Sequence, residues 1–191
     1  MKKVAILLIV CLLVSVSFLC GCDEQKATEE EIKTVGALLN TLGLVLDDLV
    51  GDFEVSAEDY IAEPFVIEEG VFKDTQVLEK YEVKFTESEL SLMVQFLVRY
   101  DSKETCKSVL DMTKTELSAD FPEISANTIG DDSYFGKMTT TISGTEVSMY
   151  LLFFRIADVL VVLIGVAPLQ VTFRGYGNII ENNINAVLTS E

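Results

Sequence analysis

Histidine and tryptophan are absent from the 191 residues, proline occurs three times, and acidic residues outnumber basic ones by 31 to 14. Without histidine there is no Ser-His-Asp or Cys-His arrangement, no HExxH helix and no histidine-ligated zinc. The sequence also has no GxSxG elbow, no GxGxxG fingerprint and no Walker A motif. Cysteine is scarce: Cys11, Cys20 and Cys22 sit near the N-terminus, and Cys106 is alone in the rest of the chain, where it cannot bridge internally. The shortage of positive charge leaves a formal net charge of −17. Such a charge repels nucleic acid and anionic headgroups, so neither is expected as a partner. It suits a domain that must stay dissolved in a saline exterior, where screening shortens the range of self-repulsion.

What is present begins with Met1-Lys2-Lys3 and an apolar or small-residue run from Val4 to Leu19. A basic n-region followed by an apolar h-region is the form of an export signal. Leu19-Cys20-Gly21-Cys22 follows, and then polar Asp23-Glu24. This resembles a lipobox, with small Gly21 before the cysteine to be modified and aliphatic Leu19 ahead of it; Cys20 stands where alanine or serine is usual. Residues 1–21 are thus expected to be a signal peptide and Cys22 the lipidation site. Two acyl chains, at roughly 0.8 kcal/mol per CH₂, are enough for stable attachment. The alternative is an uncleaved span from Val4 to Cys22, within the about 17–25 residues that cross a bilayer. Either anchor places the remainder outside the cytoplasm, since Lys2 and Lys3 favour the inner side.

Periodicity organises the rest. Thr28 with Glu31 has capping-box spacing, and Ile32, Val35, Leu38, Leu39 and Leu42 recur as on one helical face, which predicts a helix over 29–42. An apolar patch from Leu44 to Val50 follows. We assign 22–50 to an anchor-proximal segment and 51–191 to the folded domain. From Asp52 to Glu69 the chain carries seven acids and no base, interrupted by Pro64. Tyr81, Val83 and Phe85 alternate with polar residues as in a half-buried strand, and Ser91–Tyr100 predicts a second. Asp101 with Glu104 predicts the start of a helix whose Cys106, Val109, Leu110 and Leu117 share a face. A strand over 133–142 and a turn at Ser143-Gly144-Thr145 follow. The very apolar 147–167 stretch could be a second membrane span. Arg155 and Asp158 in its middle, each costing about 2.5–3.5 kcal/mol at a bilayer centre, favour two core strands joined at Ala157-Asp158. Phe173, Tyr176, Ile180, Ile184 and Val187 suggest a C-terminal helix, with Gly175 and Gly177 allowing its start to slip to Asn178. The order of elements predicts an α+β domain, an antiparallel sheet with packed helices.

The segment from about Val50 onward resembles the Mog1/PsbP-like domains of small lipoproteins and exported proteins of archaea and bacteria. The resemblance is carried by Gly51-Asp52-Phe53, Tyr81-Glu82-Val83-Lys84-Phe85, Val98-Arg99-Tyr100-Asp101-Ser102-Lys103-Glu104, Ile129-Gly130-Asp131-Asp132-Ser133-Tyr134 and the paired Leu152–Arg155 and Val159–Leu163. It implies an αβα sandwich and often an accessory or binding role, with no shared catalytic residues to carry over.

Candidates for chemistry are few. Cys106 reads as packing within its helix, Ser102-Lys103 as capping and solvation rather than a Ser/Lys dyad, and Arg155 and Asp158 as an exposed turn pair. Carboxylates are the abundant functional groups, and a hard cation such as calcium takes six to eight oxygens. Glu58, Asp59, Glu63, Glu68 and Glu69 are one candidate set and Asp131 with Asp132 another; neither has the EF-hand pattern. No cofactor is expected. The reading that follows is a non-enzymatic accessory or binding module that docks on an envelope protein. Its alternatives are a small-molecule or divalent-cation-binding lipoprotein, and a hydrolase using two facing carboxylates. The first predicts an exposed apolar patch, the second a concave pocket, and the third a cleft between two acids.

Overall fold

A computed structural model describes residues 38–188 apart from 69–71, 89–90, 125–127, 143 and 167–169. The signal, Cys22 and most of the helix expected over 29–42 lie outside the described residues.

Among the described residues seven strands form one antiparallel sheet: β1 (Glu54–Ile61), β2 (Phe65–Val66), β3 (Gln76–Ser88), β4 (Ser91–Tyr100), β5 (Asp132–Ile142), β6 (Thr145–Ile156) and β7 (Val159–Val166). Their order is β1-β3-β4-β7-β6-β5, with short β2 also paired to β3. The helices are α1 (Lys103–Leu117) and α2 (Gln170–Leu188), preceded by two 3-10 turns at Leu39–Thr41 and Leu46–Asp48. This is an α+β fold of antiparallel sheet and packed helices, as the sequence predicts. The described part of the apolar 147–167 stretch, 147–166, is a hairpin rather than a span, with Ile156 opposite Val159 across Ala157-Asp158. Among the described residues no helix is long and apolar enough to cross a membrane.

Alternation divides the core between the two faces of the sheet. Val77, Tyr100, Tyr134, Leu151, Phe153 and Leu160 face α1, which contributes Cys106, Val109 and Leu110. Tyr81, Val83, Phe85, Met93, Leu97, Leu152, Phe154, Val161 and Leu163 face the other way, against Phe173, Tyr176, Ile180 and Ile184 of α2. β7 lies between β4 and β6 and is apolar on both sides, as a strand covered on both faces must be.

Leu39, Leu42, Leu44 and Leu49 join the α2-side core. The folded unit therefore takes in the described part of 22–50, the stretch expected from sequence to be an anchor-proximal segment. That part is not α-helical. The Leu39 amide donates to Glu79 Oε1 at 2.7 Å, a bond to the sheet that replaces one within a helix.

Other boundaries shift for local reasons. The N-cap of α1 is Ser102, one residue after the expected Asp101, because Ser102 is extended and its Oγ accepts from the Thr105 amide at 3.0 Å. α2 begins at Gln170 and runs through both glycines instead of starting at Asn178. Gly177 lies close against the sheet, since a Cβ there would lie 2.6 Å from Leu152 Cδ2. β1 runs through the acid-rich stretch, which has no apolar alternation to announce it.

Candidate functional site

The described exposed apolar side chains are concentrated rather than scattered. Of the seven large ones, five (Leu38, Val45, Leu46, Val50 and Val55) fall between residues 38 and 55. Val45, Leu46 and Val55 line one groove of about 460 Å³, together with Asn40, Leu44, Asp47, Glu58, Tyr81, Val83 and Phe85.

Buried polar groups of the sheet fix this ledge in place. Glu79, almost fully buried, accepts from the Leu39 amide and from Tyr60 Oη at 2.6 Å through one oxygen, and pairs with Arg99 Nη1 at 2.7 Å through the other. A buried carboxylate is tolerable only when paired and hydrogen-bonded in this way. Burial, reinforced by the neighbouring Glu79, pushes the Tyr60 phenol up to about 12. Gln95, fully buried, accepts from the Leu44 amide at 2.8 Å. Gly43 permits that approach: a Cβ at this position would sit 2.2 Å from Gln95 Nε2.

With Leu44 and Leu49 pinned inward, the intervening turn projects Val45 and Leu46 outward, 57% and 42% exposed. Asp48 closes the turn by accepting from the Val45 amide at 2.9 Å. Tyr176 Oη of α2 accepts from the Val50 amide at 3.0 Å, and Asn183 donates to the Leu42 carbonyl at 3.2 Å. Tyr81 donates to Glu58 Oε1 at 3.2 Å across the groove, and burial raises its phenol to about 12. The groove therefore offers an apolar floor and an acidic rim, and its internal polar pair is already satisfied.

Four of the carboxylates raised as calcium ligands have other roles, and Glu63 and Glu68 are exposed. Glu58 serves Tyr81, and Asp59 lies 3.6 Å from Lys80 Nζ. Asp131 Oδ2 accepts from Arg155 Nη1 and from the Ala157 amide, both at 3.0 Å. Asp132 pairs with Lys114 at 2.7 Å. Burial pushes the Asp132 carboxyl up, but the Lys114 ammonium and the Ser133 amide outweigh it and hold it below its ordinary value. Among the described residues no group of three or more metal-binding side chains is assembled; Glu69 lies outside them.

Arg155 and Asp158 are not the exposed turn pair expected from their spacing. Arg155 bonds to Asp131, whereas Asp158 is 2% exposed with no side-chain hydrogen-bond partner for its carboxylate among the described residues. The hairpin register explains this. Arg155 lies opposite Leu160 on the sheet, and the turn formed by Ala157, at φ +54°, brings Asp158 inward with its carbonyl accepting from Tyr100. Burial raises the Asp158 carboxyl. Cys106 packs as expected, fully buried, its thiol pushed up to about 12 by burial. Ser102 Oγ is engaged in capping, and Lys103 is exposed.

Sequence reasoning missed Val45, Leu46 and Val55 as a surface and Tyr60, Glu79 and Arg99 as its support. The available signal was the apolar patch from Leu44 to Val50, which is too irregular for either period. A further depression of about 520 Å³ is lined, among the described residues, by side chains of α1 alone, such as Lys107 and Asp111 paired at 2.5 Å.

Comparison with known proteins adds a fold. No family model matches the chain, and no curated protein matches it in sequence. Among solved structures, the extracellular domain of PknH from Mycobacterium tuberculosis is similar. The TM-score is 0.51 at 7% sequence identity, covering 77% of this chain and 94% of that one. At that identity the likeness concerns the fold alone.

Proposed function

We propose that the protein is an extracytoplasmic lipoprotein, anchored through lipid on Cys22, that acts as a non-enzymatic accessory module by docking on a protein of the cell envelope. The observation that carries this reading is the concentration of exposed apolar side chains around the 460 Å³ groove, next to the acids of 47–59. Contiguous exposed apolar surface with a polar rim is a mark of protein–protein contact. Of the groove's polar groups, Tyr81 and Glu58 bond to each other, so what remains for a partner is apolar area, negative charge and the Asn40 side chain. That favours a macromolecular surface over a small molecule held by convergent polar groups. The antiparallel sheet covered on both faces agrees with a Mog1/PsbP-like αβα sandwich, and a fold shared with an extracellular domain agrees with export.

The test is photo-crosslinking in cells from a reactive residue placed at Leu46 or Val55, followed by mass spectrometry, with Cys22→Ala as the unanchored control. One dominant envelope protein, captured from these positions and lost with the anchor, is the expected result. Capture no stronger than from an acidic surface position such as Glu104 would overturn the reading.

A further inference from the structure

Strand order leaves the two ends of the sheet unequal. At the β5 end the chain returns over the edge: Ile124 donates to the Phe135 carbonyl, Lys137 donates to the Pro122 carbonyl, and Glu123 bridges Gly136. At the β1 end nothing among the described residues pairs with the outer side of the strand, although its inner side pairs with β3 from Glu54 to Ile61. An unpaired edge presents alternate N–H and C=O groups to any extended chain that reaches it. The register shift between Val55 and Ala57 sets Ser56 apart, with its Oγ on Lys84 and Thr86, so the regular edge is Ala57–Ile61. This edge adjoins the groove, whose lining includes Val55 and Glu58.

Charge selects the occupant. Residues 47–59 carry Asp47, Asp48, Asp52, Glu54, Glu58 and Asp59 and no lysine or arginine. Lys80, beside Asp59, also pairs with Glu82 at 2.9 Å, so negative charge stays in excess. A second copy would set the same acids against these, and like charges across a strand pair oppose it. The chain's own 23–37 stretch, with five acids against two lysines, carries the same sign of charge and lacks this complementarity. A segment bearing lysine or arginine is attracted, and its apolar residues can reach Val45, Leu46 and Val55.

We infer that the β1 edge over Ala57–Ile61 accepts an extended, basic segment of the partner protein as an added strand, with its apolar side chains seated on the neighbouring groove. The inference rests on the docking reading above and names the chemistry of the partner. Main-chain bonds would supply affinity, and alternate side chains the selectivity.

The test is hydrogen exchange on the full-length protein in nanodiscs, with short synthetic strands as probes. An alternating Val/Lys peptide is expected to slow exchange of outward β1 amides within 57–61 by tenfold or more. An alternating Val/Glu peptide should leave them unchanged. A Val/Lys peptide N-methylated at every residue keeps its charge but has no backbone N–H on either edge to build a ladder, and should also leave them unchanged. In Glu54→Lys/Glu58→Lys, protection should shift toward the Val/Glu peptide. No protection with Val/Lys, equal protection with its N-methylated form, or protection that rises with protein concentration alone would each overturn the inference. If Val55 still crosslinks an envelope protein in cells while β1 stays unprotected, strand addition falls and docking stands; loss of the crosslink removes the docking reading itself.

Discussion

The α1 face of the sheet is covered by a regular helix whose backbone is satisfied locally. Its first turn is capped by Ser102 through the Thr105 amide, and Thr113 bonds back to the Val109 carbonyl. The opposite face is covered partly by α2 and partly by an irregular stretch, 38–50, where short local turns leave three amides that find partners far away in sequence. Leu39 finds Glu79, Leu44 finds Gln95 and Val50 finds Tyr176, at separations of 40, 51 and 126 residues. A helix brings its own acceptors; an irregular cover has to borrow them from the core it covers. The cost is buried polar side chains in the sheet. The return is a surface that projects Val45 and Leu46 outward, which a helix burying all of its apolar side chains would not do.

The sharpest way to break this contrast is Glu79→Ala. Removing the carboxylate takes a partner from Arg99, Tyr60 and the Leu39 amide together, and breaking a buried pair costs about 3–5 kcal/mol. Denaturant unfolding should show that loss, and the Leu39 amide should lose its exchange protection. Gln95→Leu is the next test. It orphans the Leu44 amide, for about 1–3 kcal/mol. The lower end is expected, because the Nε2 it also removes has no hydrogen-bond partner among the described residues. On the helical face, Ser102→Ala should cost only about 1 kcal/mol, the usual effect of losing an N-cap. If Ser102→Ala proved more damaging than Glu79→Ala, the two faces would not differ as described.

The smallest effects depend on pH. Burial raises the Asp158 carboxyl, so the folded protein favours its protonated form. Taken alone, this group's contribution is most favourable below the unfolded value and worsens as pH rises through the folded one. Asp158→Asn should therefore stabilise the protein more at pH 7 than at pH 3. Asp132 has the opposite sign: its lowered carboxyl stabilises above the ordinary value, and that support is lost as pH falls through the folded one. Asp132→Asn should be measurably destabilising at pH 7, and the difference should shrink as the pH falls below the ordinary carboxylate range.

The same contrast explains what the sequence shows and what it hides. α1, β4, the β6–β7 hairpin and the buried face of α2 are legible because Val109 and Leu110, Leu97, Val161, and Ile180 and Ile184 repeat at the period of their element. The 38–50 cover is not legible. Its leucines resemble a helical stripe, and the competing partners, Glu79 and Gln95, lie in another part of the chain. β1 escapes for a different reason. An edge strand with Glu54, Glu58 and Asp59 shows little apolar alternation, since so little of it is buried. The inward turn of Asp158 depends on a left-handed Ala157, which spacing alone does not signal. What could be seen of the candidate site was the apolar run from Leu44 to Val50; which of its side chains point outward depends on tertiary bonds.

One buried atom gives the α1 face a clock. The Cys106 thiol is fully buried and pushed up to about 12, so at neutral pH it is neither reachable nor ionised while the helix is seated. An alkylating reagent can reach it only when α1 lifts from the sheet or the whole domain opens. Its labelling rate, followed beside that of amides held by Glu79, would show whether the two faces come apart together or one before the other.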